Sequence, residues 1–133
     1  MSFGFFTDAG LTVPITTFRH FSTQADRLVW FGSAVAGQQL QDDTAPGVDN
    51  VLVSIVDSAG GSGLAASSVR LAATNGDLTA ATGGAALSLG HTVLSGGANA
   101  KPVHIRFDTS AGVTGTDYTD LSLAVAGVIE SAV

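Results

Sequence analysis

The chain has 133 residues, the size of one ordinary domain, and contains no cysteine, so neither disulfides nor thiolate metal ligands support its fold. Charged residues make up only 12% of it, against ~25% in typical soluble domains, while 45% are apolar. Its net charge is -6 with only five basic residues, which argues against a surface that follows nucleic-acid phosphates. No apolar run reaches the ~18 residues of a membrane-spanning helix, and residues 1–10 lack the basic start of a secretory signal. We therefore expect a protein that is made in the cytoplasm and binds neither membrane nor nucleic acid.

The first 31 residues differ from the rest because they carry seven of the nine aromatic side chains. Two interpretations of this segment remain open. Its rings either belong to the core or form an N-terminal arm that docks on a neighbouring subunit. We therefore predict an arm with edge strands over residues 1–31 and a β-sandwich over residues 32–133, within one domain overall. The candidate partner-binding residues are Phe3, Phe5, Phe6, Phe18 and Phe21.

Two short stretches of this N-terminal segment have the pattern of strands. Leu11, Val13 and Ile15 alternate with other residues, but Pro14 cannot donate to a ladder, which restricts that strand to an edge. Residues 28–31 form a continuous apolar run. Residues 38–50, with several aspartates, a proline and a glycine, read as a polar connection.

From Val51 onward, short bursts alternate apolar and polar residues, the period of a strand with one buried face. The clearest burst covers residues 103–108, with Pro102 placed just before it. In the first burst Leu52 and Val56 make both faces apolar, which predicts a strand that is central or covered on both sides. Taken from all these bursts, the predicted core consists of Val53, Ile55, Leu71, Leu89, Ile105, Phe107, Leu121 and Leu123.

Gly-rich turns separate the bursts every ten to fifteen residues, roughly the spacing of an antiparallel sandwich or barrel. The fold prediction is an all-β antiparallel sandwich, Ig-like or jelly-roll-like, of about seven to nine short strands. At most one short helix fits, over residues 77–81, with Asn75 or Asp77 as its cap.

The residue types needed for catalysis or metal binding are present without the spacing that such sites require. Ser62 lies between glycines in a turn but lacks the spacing of a nucleophile elbow. His20, His91 and His104 share no metal-binding spacing. Asp42, Asp43 and Asp49 lie on one connection without the order of a calcium loop, so a solvated loop is favoured over a cation site. We predict no catalytic residue, no metal and no cofactor.

Five short sequence segments between Asp49 and Leu123 resemble a known class of protein. They are residues 49–55, 68–72, 86–90, 103–106 and 118–123. In style and in these short phrases the chain resembles small Ala/Gly/Thr-rich β-sandwich virion proteins of tailed bacteriophages and prophages. The resemblance covers about three fifths of the chain and includes no catalytic motif.

The resemblance implies a structural virion protein, most simply a capsid decoration protein that binds other virion proteins such as the major capsid or tail proteins. We expect the protein to form a homo-oligomer or to occur as repeated copies on a symmetric lattice. It would be made in the host cytoplasm and located in the virion. The alternatives are a neck, tail or tail-fibre-associated protein, or a module that binds carbohydrate on the host surface.

Overall fold

A computed structural model describes the backbone of residues 1–15, 20–21, 25–57, 66–107, 117–118 and 121–133. Every strand ladder in this part of the chain is antiparallel, and no α-helix occurs in it. The strands are β1 (Gly4–Phe6), β2 (His20–Phe21), β3 (Ala25–Gly32), β4 (Gln38–Asp42), β5 (Leu52–Asp57), β6 (Val69–Ala72), β7 (Leu87–Ser88), β8 (Thr92–Leu94), β9 (Lys101–Phe107), β10 (Asp117–Tyr118), β11 (Leu121–Ala124) and β12 (Val128–Ala132). The predicted all-β antiparallel sandwich is thus confirmed as a fold class, although the described residues contain twelve strands and not the seven to nine that were expected.

One layer of the sandwich is a four-stranded sheet with the order β1-β3-β9-β6, called the front sheet below. Its central pair, β3 and β9, is in register from Ala25 opposite Phe107 to Phe31 opposite Lys101. Val29 and Phe31 of β3, with Val103 and Ile105 of β9, are at most 5% exposed and face the core. The residues between them face outward, because successive side chains of a strand alternate in direction.

The opposite layer consists of two three-stranded ladders, β11-β5-β7 and β12-β4-β8, called together the back sheet. The three strands of one ladder lead directly into those of the other, since β11 precedes β12, β4 precedes β5, and β7 precedes β8. Hydrogen bonds from Asp43 N–H to the Gly127 carbonyl (2.9 Å) and from Leu89 N–H to the Val51 carbonyl (2.8 Å) link the ladders. Residues 43–50 form a loop between β4 and β5. The polar connection predicted over residues 38–50 is therefore wrong for Gln38–Asp42, which form β4. A separate two-stranded ladder joins β10 to β2.

The core lies between these two layers and contains residues of both. Buried side chains from the front sheet meet Leu40, Val51, Val53, Leu89 and Val93 of the back sheet. Of the predicted core, Val53, Leu71, Leu89 and Ile105 are buried, and Ile55 and Leu123 pack against the cluster half-buried, so these six are confirmed. The side chains of Phe107 and Leu121 lie outside the described residues.

Residues 7–15 return along the free edge of β1 and cover it. Thr7 N–H donates to the Val13 carbonyl (3.0 Å), Ile15 N–H donates to the Phe5 carbonyl (2.9 Å), and Pro14 lies opposite Phe6. This confirms the edge position predicted from Pro14. The predicted alternation is wrong at Leu11, which is 3% exposed in the turn with a φ of 57°, where it packs beside Gly32.

Asp8 closes that turn with its carboxylate. It accepts hydrogen bonds from the Thr12 hydroxyl (2.7 Å), the Val13 N–H (3.0 Å) and the Thr12 N–H (3.0 Å). The Thr12 hydroxyl bond, followed by the Val13 bond, lowers the pKa of Asp8 from its ordinary value of 3.8.

Two further expectations concern β5 and β9. Leu52 and Val56 are 42% and 41% exposed, so of the two predicted alternatives for β5 the structure shows a strand that is central in its sheet and not one covered on both faces. Pro102 lies within β9, where the ladder tolerates it because β6 pairs only as far as His104 and leaves that flank of β9 open.

The sequence allowed at most one short helix, over residues 77–81, and the structure contains no α-helix there. The segment contains a single 3-10 turn, Gly76–Leu78, and Asn75 makes no side-chain cap bond. Asp77 N–H instead donates to the Thr74 hydroxyl (3.3 Å). Two further 3-10 turns lie at Ala66–Ser68 and Gly97–Asn99.

Candidate functional site

Among the residues that the structure describes, the strands of the back sheet present no ionisable side chain on their outward face. Alternation from the buried Leu40, Val53 and Val93 assigns this face, and we call it the uncharged face. Its members are Gln39, Gln41, Leu52, Ser54, Val56, Ser88, Thr92, Leu94, Ser122, Ala124, Ile129 and Ser131.

Polar side chains on the uncharged face bond to one another across the strands. Gln39 Nε2 donates to the Ser131 hydroxyl at 3.2 Å, and Gln41 Nε2 donates to the Thr92 hydroxyl at 3.0 Å. Polar groups that already have partners lose less free energy on leaving water than unpaired ones do. This face is therefore inexpensive to desolvate.

Four aliphatic side chains project from the same face. Leu52, Val56, Leu94 and Ile129 are 40–50% exposed. Because their neighbours are small hydroxyl, methyl or amide residues, no long charged chain stands between them and a partner surface. This arrangement can form a flat, close-packed contact with another protein.

The outward face of the front sheet has a different character. A single row across its strands places Pro14 opposite Phe6, Phe6 opposite Trp30, and Trp30 opposite Pro102. We call these four residues the aromatic row. Phe6, Trp30 and Pro102 are half-buried and Pro14 is exposed, so the row presents ring edges and faces to solvent. The next row holds Leu28, 41% exposed, opposite His104.

A charged cluster borders this face at the end of β9. Arg106 donates from Nε and Nη2 to the two carboxylate oxygens of Asp26 at 2.8 and 2.9 Å, a bidentate pair. Arg106 Nη1 also donates to the Thr79 hydroxyl (3.2 Å), which ties the segment after the Gly76–Leu78 turn to the sheet. The hydrogen bond from Arg106 lowers the pKa of Asp26, and the same bond raises the pKa of Arg106. This exposed ion pair positions a loop and contributes little to stability.

The structure separates the five candidate partner-binding phenylalanines. Phe3 is 5% exposed in the core, and the Phe5 ring packs on Phe31 with centroids 5.0 Å apart. Phe6 faces outward in the aromatic row. Phe18 and the side chain of Phe21 lie outside the described residues.

Partner binding by these residues stays a prediction. For Phe3 and Phe5 it would require β1 to leave the front sheet. The predicted boundary between residues 31 and 32 also falls inside β3, which pairs with both β1 and β9.

The residues considered for catalysis and metal binding do not converge in the described part of the chain. No group of three or more His, Asp or Glu side chains there could hold a metal ion. Asp42 Oδ1 accepts the N–H groups of Thr44 (2.8 Å) and Ala45 (3.0 Å), a local turn. His91 is exposed at a turn, and His104 lies on the outward face of the front sheet. Ser62 and the side chain of His20 lie outside the described residues. Nor does any helix among the described residues have the length and apolarity that crossing a bilayer requires.

Sequence reasoning missed Trp30 and the uncharged face. The continuous apolar run of residues 28–31 hid the alternation that sends Val29 and Phe31 inward and Leu28 and Trp30 outward. The uncharged face did leave a signal, since the polar positions of the alternating strands are Ser, Thr and Gln. Whether those positions share one face depends on strand order, which alternation does not specify.

Comparison of the chain with protein-family models, with curated proteins and with solved structures finds no match. The uncharged face and the aromatic row are therefore the basis of the functional proposal.

Proposed function

We propose that this chain is a structural protein of a bacteriophage particle, a capsid decoration protein that acts in repeated copies by binding neighbouring virion proteins. The observation that supports the proposal is the uncharged face, with its paired polar groups and its four exposed aliphatic side chains. The protein would be made in the host cytoplasm and located in the virion, bound to major capsid or tail proteins or to its own copies.

The physical reason is the free energy of desolvating the side chains at a contact between proteins. Charged side chains are depleted at the centres of interfaces because their desolvation is expensive. A face of Ser, Thr, Gln and Ala around aliphatic residues avoids this cost while it keeps the flatness of a sheet. Contacts through this face bring no charged side chains of neighbouring copies together, although each copy carries a net charge of -6.

The abundance of the chain in particles tests this proposal. Particles are purified from a culture of the phage or lysogen that encodes the chain, and its copies are counted by quantitative mass spectrometry against the major capsid protein. A decoration protein is expected in numbers comparable to the capsid protein. A few copies per particle would favour the neck, tail or fibre alternative, and absence from particles would contradict a virion role.

A pair of substitutions tests the surface itself. Leu52→Lys with Val56→Lys adds two charges to the uncharged face at positions already 42% and 41% exposed, so the fold should survive. We expect this variant to be excluded from particles. Val35→Lys, at a valine that is 51% exposed and lies outside the uncharged face, is the control and should be incorporated normally. Normal incorporation of the double variant would show that another surface makes the contact.

A specific observation supports a second function, binding of host-surface carbohydrate. Phe6 and Trp30 lie side by side on the outside of the front sheet, with the polar side chain of His104 in the next row. Aromatic faces flanked by hydrogen-bonding groups suit sugar rings, which have apolar faces and polar rims.

Fluorescence can test this second function directly, because Trp30 is the only tryptophan of the chain. Titration with the surface polysaccharide of the host should change its emission in a saturable way. The change should disappear in Phe6→Ser, while Val35→Ser should retain it. Unchanged emission at saturating polysaccharide would rule this function out.

A further inference from the structure

An open groove runs between the edge of the back sheet and the start of β9. Its volume is about 310 Å3, at the lower end of the range of about 300–1,000 Å3 for ligand clefts. Thr92 and Leu94 of β8 line one side. Residues 98–100, with Lys101 and Pro102 of β9, line the other.

β8 forms one side of the groove and is an edge strand. The hydrogen bonds between β8 and β4 show which of its backbone groups are left without a partner strand. Ser95 N–H donates to the Gln38 carbonyl at 2.9 Å, and Gln38 N–H donates to the Ser95 hydroxyl at 3.0 Å, so residues 38 and 95 occupy a hydrogen-bonded position of the ladder. Since hydrogen-bonded pairs alternate along an antiparallel ladder, Val93 bonds to Leu40 of β4, and Thr92 and Leu94 do not bond to β4. The N–H and C=O groups of Thr92 and Leu94 therefore point away from β4, toward the groove.

The opposite side is also incompletely paired. β6 accompanies β9 only from Phe107 back to His104, so residues 101–103 of β9 have a partner strand on one flank only. Both layers of the sandwich thus end at this groove. An extended chain entering here would meet the donors and acceptors of β8 along its length.

Charge indicates what kind of segment fits. Lys101 is the only ionisable residue among those that line the groove. It lies opposite Phe31 and so shares the inward side of β9, which directs it to the space between the layers. No ion-pair partner for Lys101 occurs in the part of the chain that the structure describes. A carboxylate on the incoming segment would provide one.

We propose that this groove receives an extended segment of a neighbouring protein, which adds to β8 as an antiparallel strand and places an Asp or Glu side chain against Lys101. Main-chain bonds to Thr92 and Leu94 supply affinity, as in other cases of strand addition, and the carboxylate supplies selectivity. The proposal deepens the protein-binding function above and rests on it. It uses the backbone edge of Thr92 and Leu94, whose side chains belong to the rim of the uncharged face, and not the centre of that face.

The test uses two synthetic pentapeptides and the full chain labelled with 15N. The first peptide is acetyl-Thr-Val-Asp-Val-Thr-amide, and the second has Lys in place of Asp. With the Asp peptide at millimolar concentration, we expect progressive shifts of the Thr92 and Leu94 amide signals. The Lys peptide should bind about two- to fivefold more weakly, the change that one exposed ion pair gives.

Two variants make the test specific. Lys101→Glu should reverse the preference, so that the Lys peptide binds better than the Asp peptide. Leu94→Pro removes an N–H that points to the groove and not to β4, so it should abolish the binding of both peptides while the protein stays folded. If Leu94→Pro unfolds, the charge reversal in Lys101→Glu remains decisive.

Three results would overturn the proposal. Two of them are the absence of any shift of the Thr92 and Leu94 amide signals, and equal binding of the two peptides. The third is a shift of these amide signals that depends on protein concentration without any peptide, because it would identify a second copy of the chain as the occupant. These results are independent of the particle experiment. A chain that is abundant in particles but binds neither peptide would retain the proposed function and lose this groove.

Discussion

At the scale of single residues, Ile105 shows what the core requires. It is 1% exposed in β9, with strand β3 on one side and β6 on the other. Its neighbours are held by ladder bonds on both flanks, so the space left by a smaller side chain cannot easily collapse. We therefore expect Ile105→Ala to lower the free energy of unfolding by about 2–5 kcal/mol, measured by urea denaturation.

The control for this prediction is Leu28→Ala. Leu28 lies in the adjacent strand on the opposite face and is 41% exposed, so its loss should change stability by no more than about 0.5 kcal/mol. A small loss for Ile105→Ala together with a large loss for Leu28→Ala would show that the assignment of inner and outer faces in the front sheet is inverted.

At the same scale, the carboxylate of Glu130 in β12 holds Ser2 through hydrogen bonds. Its Oε1 accepts the Ser2 N–H at 2.8 Å and the Ser2 hydroxyl at 2.7 Å, and the same hydroxyl is 2.6 Å from that of the fully buried Ser33. The hydrogen bond from the Ser2 hydroxyl, and next the bond from its N–H, lower the pKa of Glu130 from its ordinary value of 4.5. A folded-state pKa below the unfolded one stabilises the protein above pH 4.5, and this stabilisation is lost as the pH falls through the folded value.

We predict that Ser2→Ala raises the pKa of Glu130 toward 4.5, because the variant lacks the hydroxyl that makes the largest contribution. The measurement is an NMR titration of the Glu130 side-chain carboxyl carbon. Ser131→Ala is the matched control, since the Ser131 hydroxyl bonds to Gln39 and should leave the Glu130 titration unchanged. An identical pKa in wild type and Ser2→Ala would show that the hydroxyl does not hold the carboxylate in solution.

At the scale of elements, the edge of β6 illustrates how this fold protects a strand. Gly84 N–H donates to the Val69 carbonyl at 2.8 Å, so the segment after the Gly76–Leu78 turn covers the start of the edge. Gly83 lies directly against the backbone of residue 67, and a Cβ at position 83 would overlap the Ser67 carbonyl oxygen. The close approach of two backbones therefore requires glycine here.

Gly83→Ala should consequently destabilise the protein by about 1–3 kcal/mol, the usual cost of overpacking, with the loss visible as a lower midpoint in urea. Gly76→Ala is a suitable comparison because its added Cβ would meet no atom within 4 Å. That second variant should be neutral or slightly stabilising, since alanine reduces the freedom of the unfolded chain. Equal effects of the two substitutions would contradict the close packing at Gly83.

At the scale of the whole molecule, the N-terminal segment is built into the sandwich. Phe3 belongs to the core, β1 pairs with β3, and Ser2 bonds to Glu130 of β12. The segment thus connects the front sheet to the back sheet. An arm that reached a neighbour would first have to break all three connections.

We therefore expect a variant that lacks residues 2–8 to show no cooperative unfolding transition. The measurement is circular dichroism during thermal denaturation. Phe3→Ala alone should cost about 3–5 kcal/mol, because it empties a buried ring position. Phe6→Ala, on the outward face, should cost clearly less. A deletion variant that stays folded but no longer enters particles would instead support the arm interpretation.

The sequence by itself determined the fold class and most of the core. Alternating apolar residues separated by Gly-rich turns require strands that share one buried face, and this requirement is local. It identified Val53, Leu71, Leu89 and Ile105 as core residues, and Pro14 as a residue of an edge strand.

Only the tertiary structure decided which strands are neighbours and therefore which surfaces exist. Phe6 and Trp30 are 24 positions apart, and Trp30 and Pro102 are 72 apart, yet pairing of β1, β3 and β9 puts them in one row. The joining of β4 with β8 and β12, and of β5 with β7 and β11, likewise assembles the uncharged face. Strand order depends on long-range hydrogen bonds and on packing between layers, and alternation along a single strand contains no information about either.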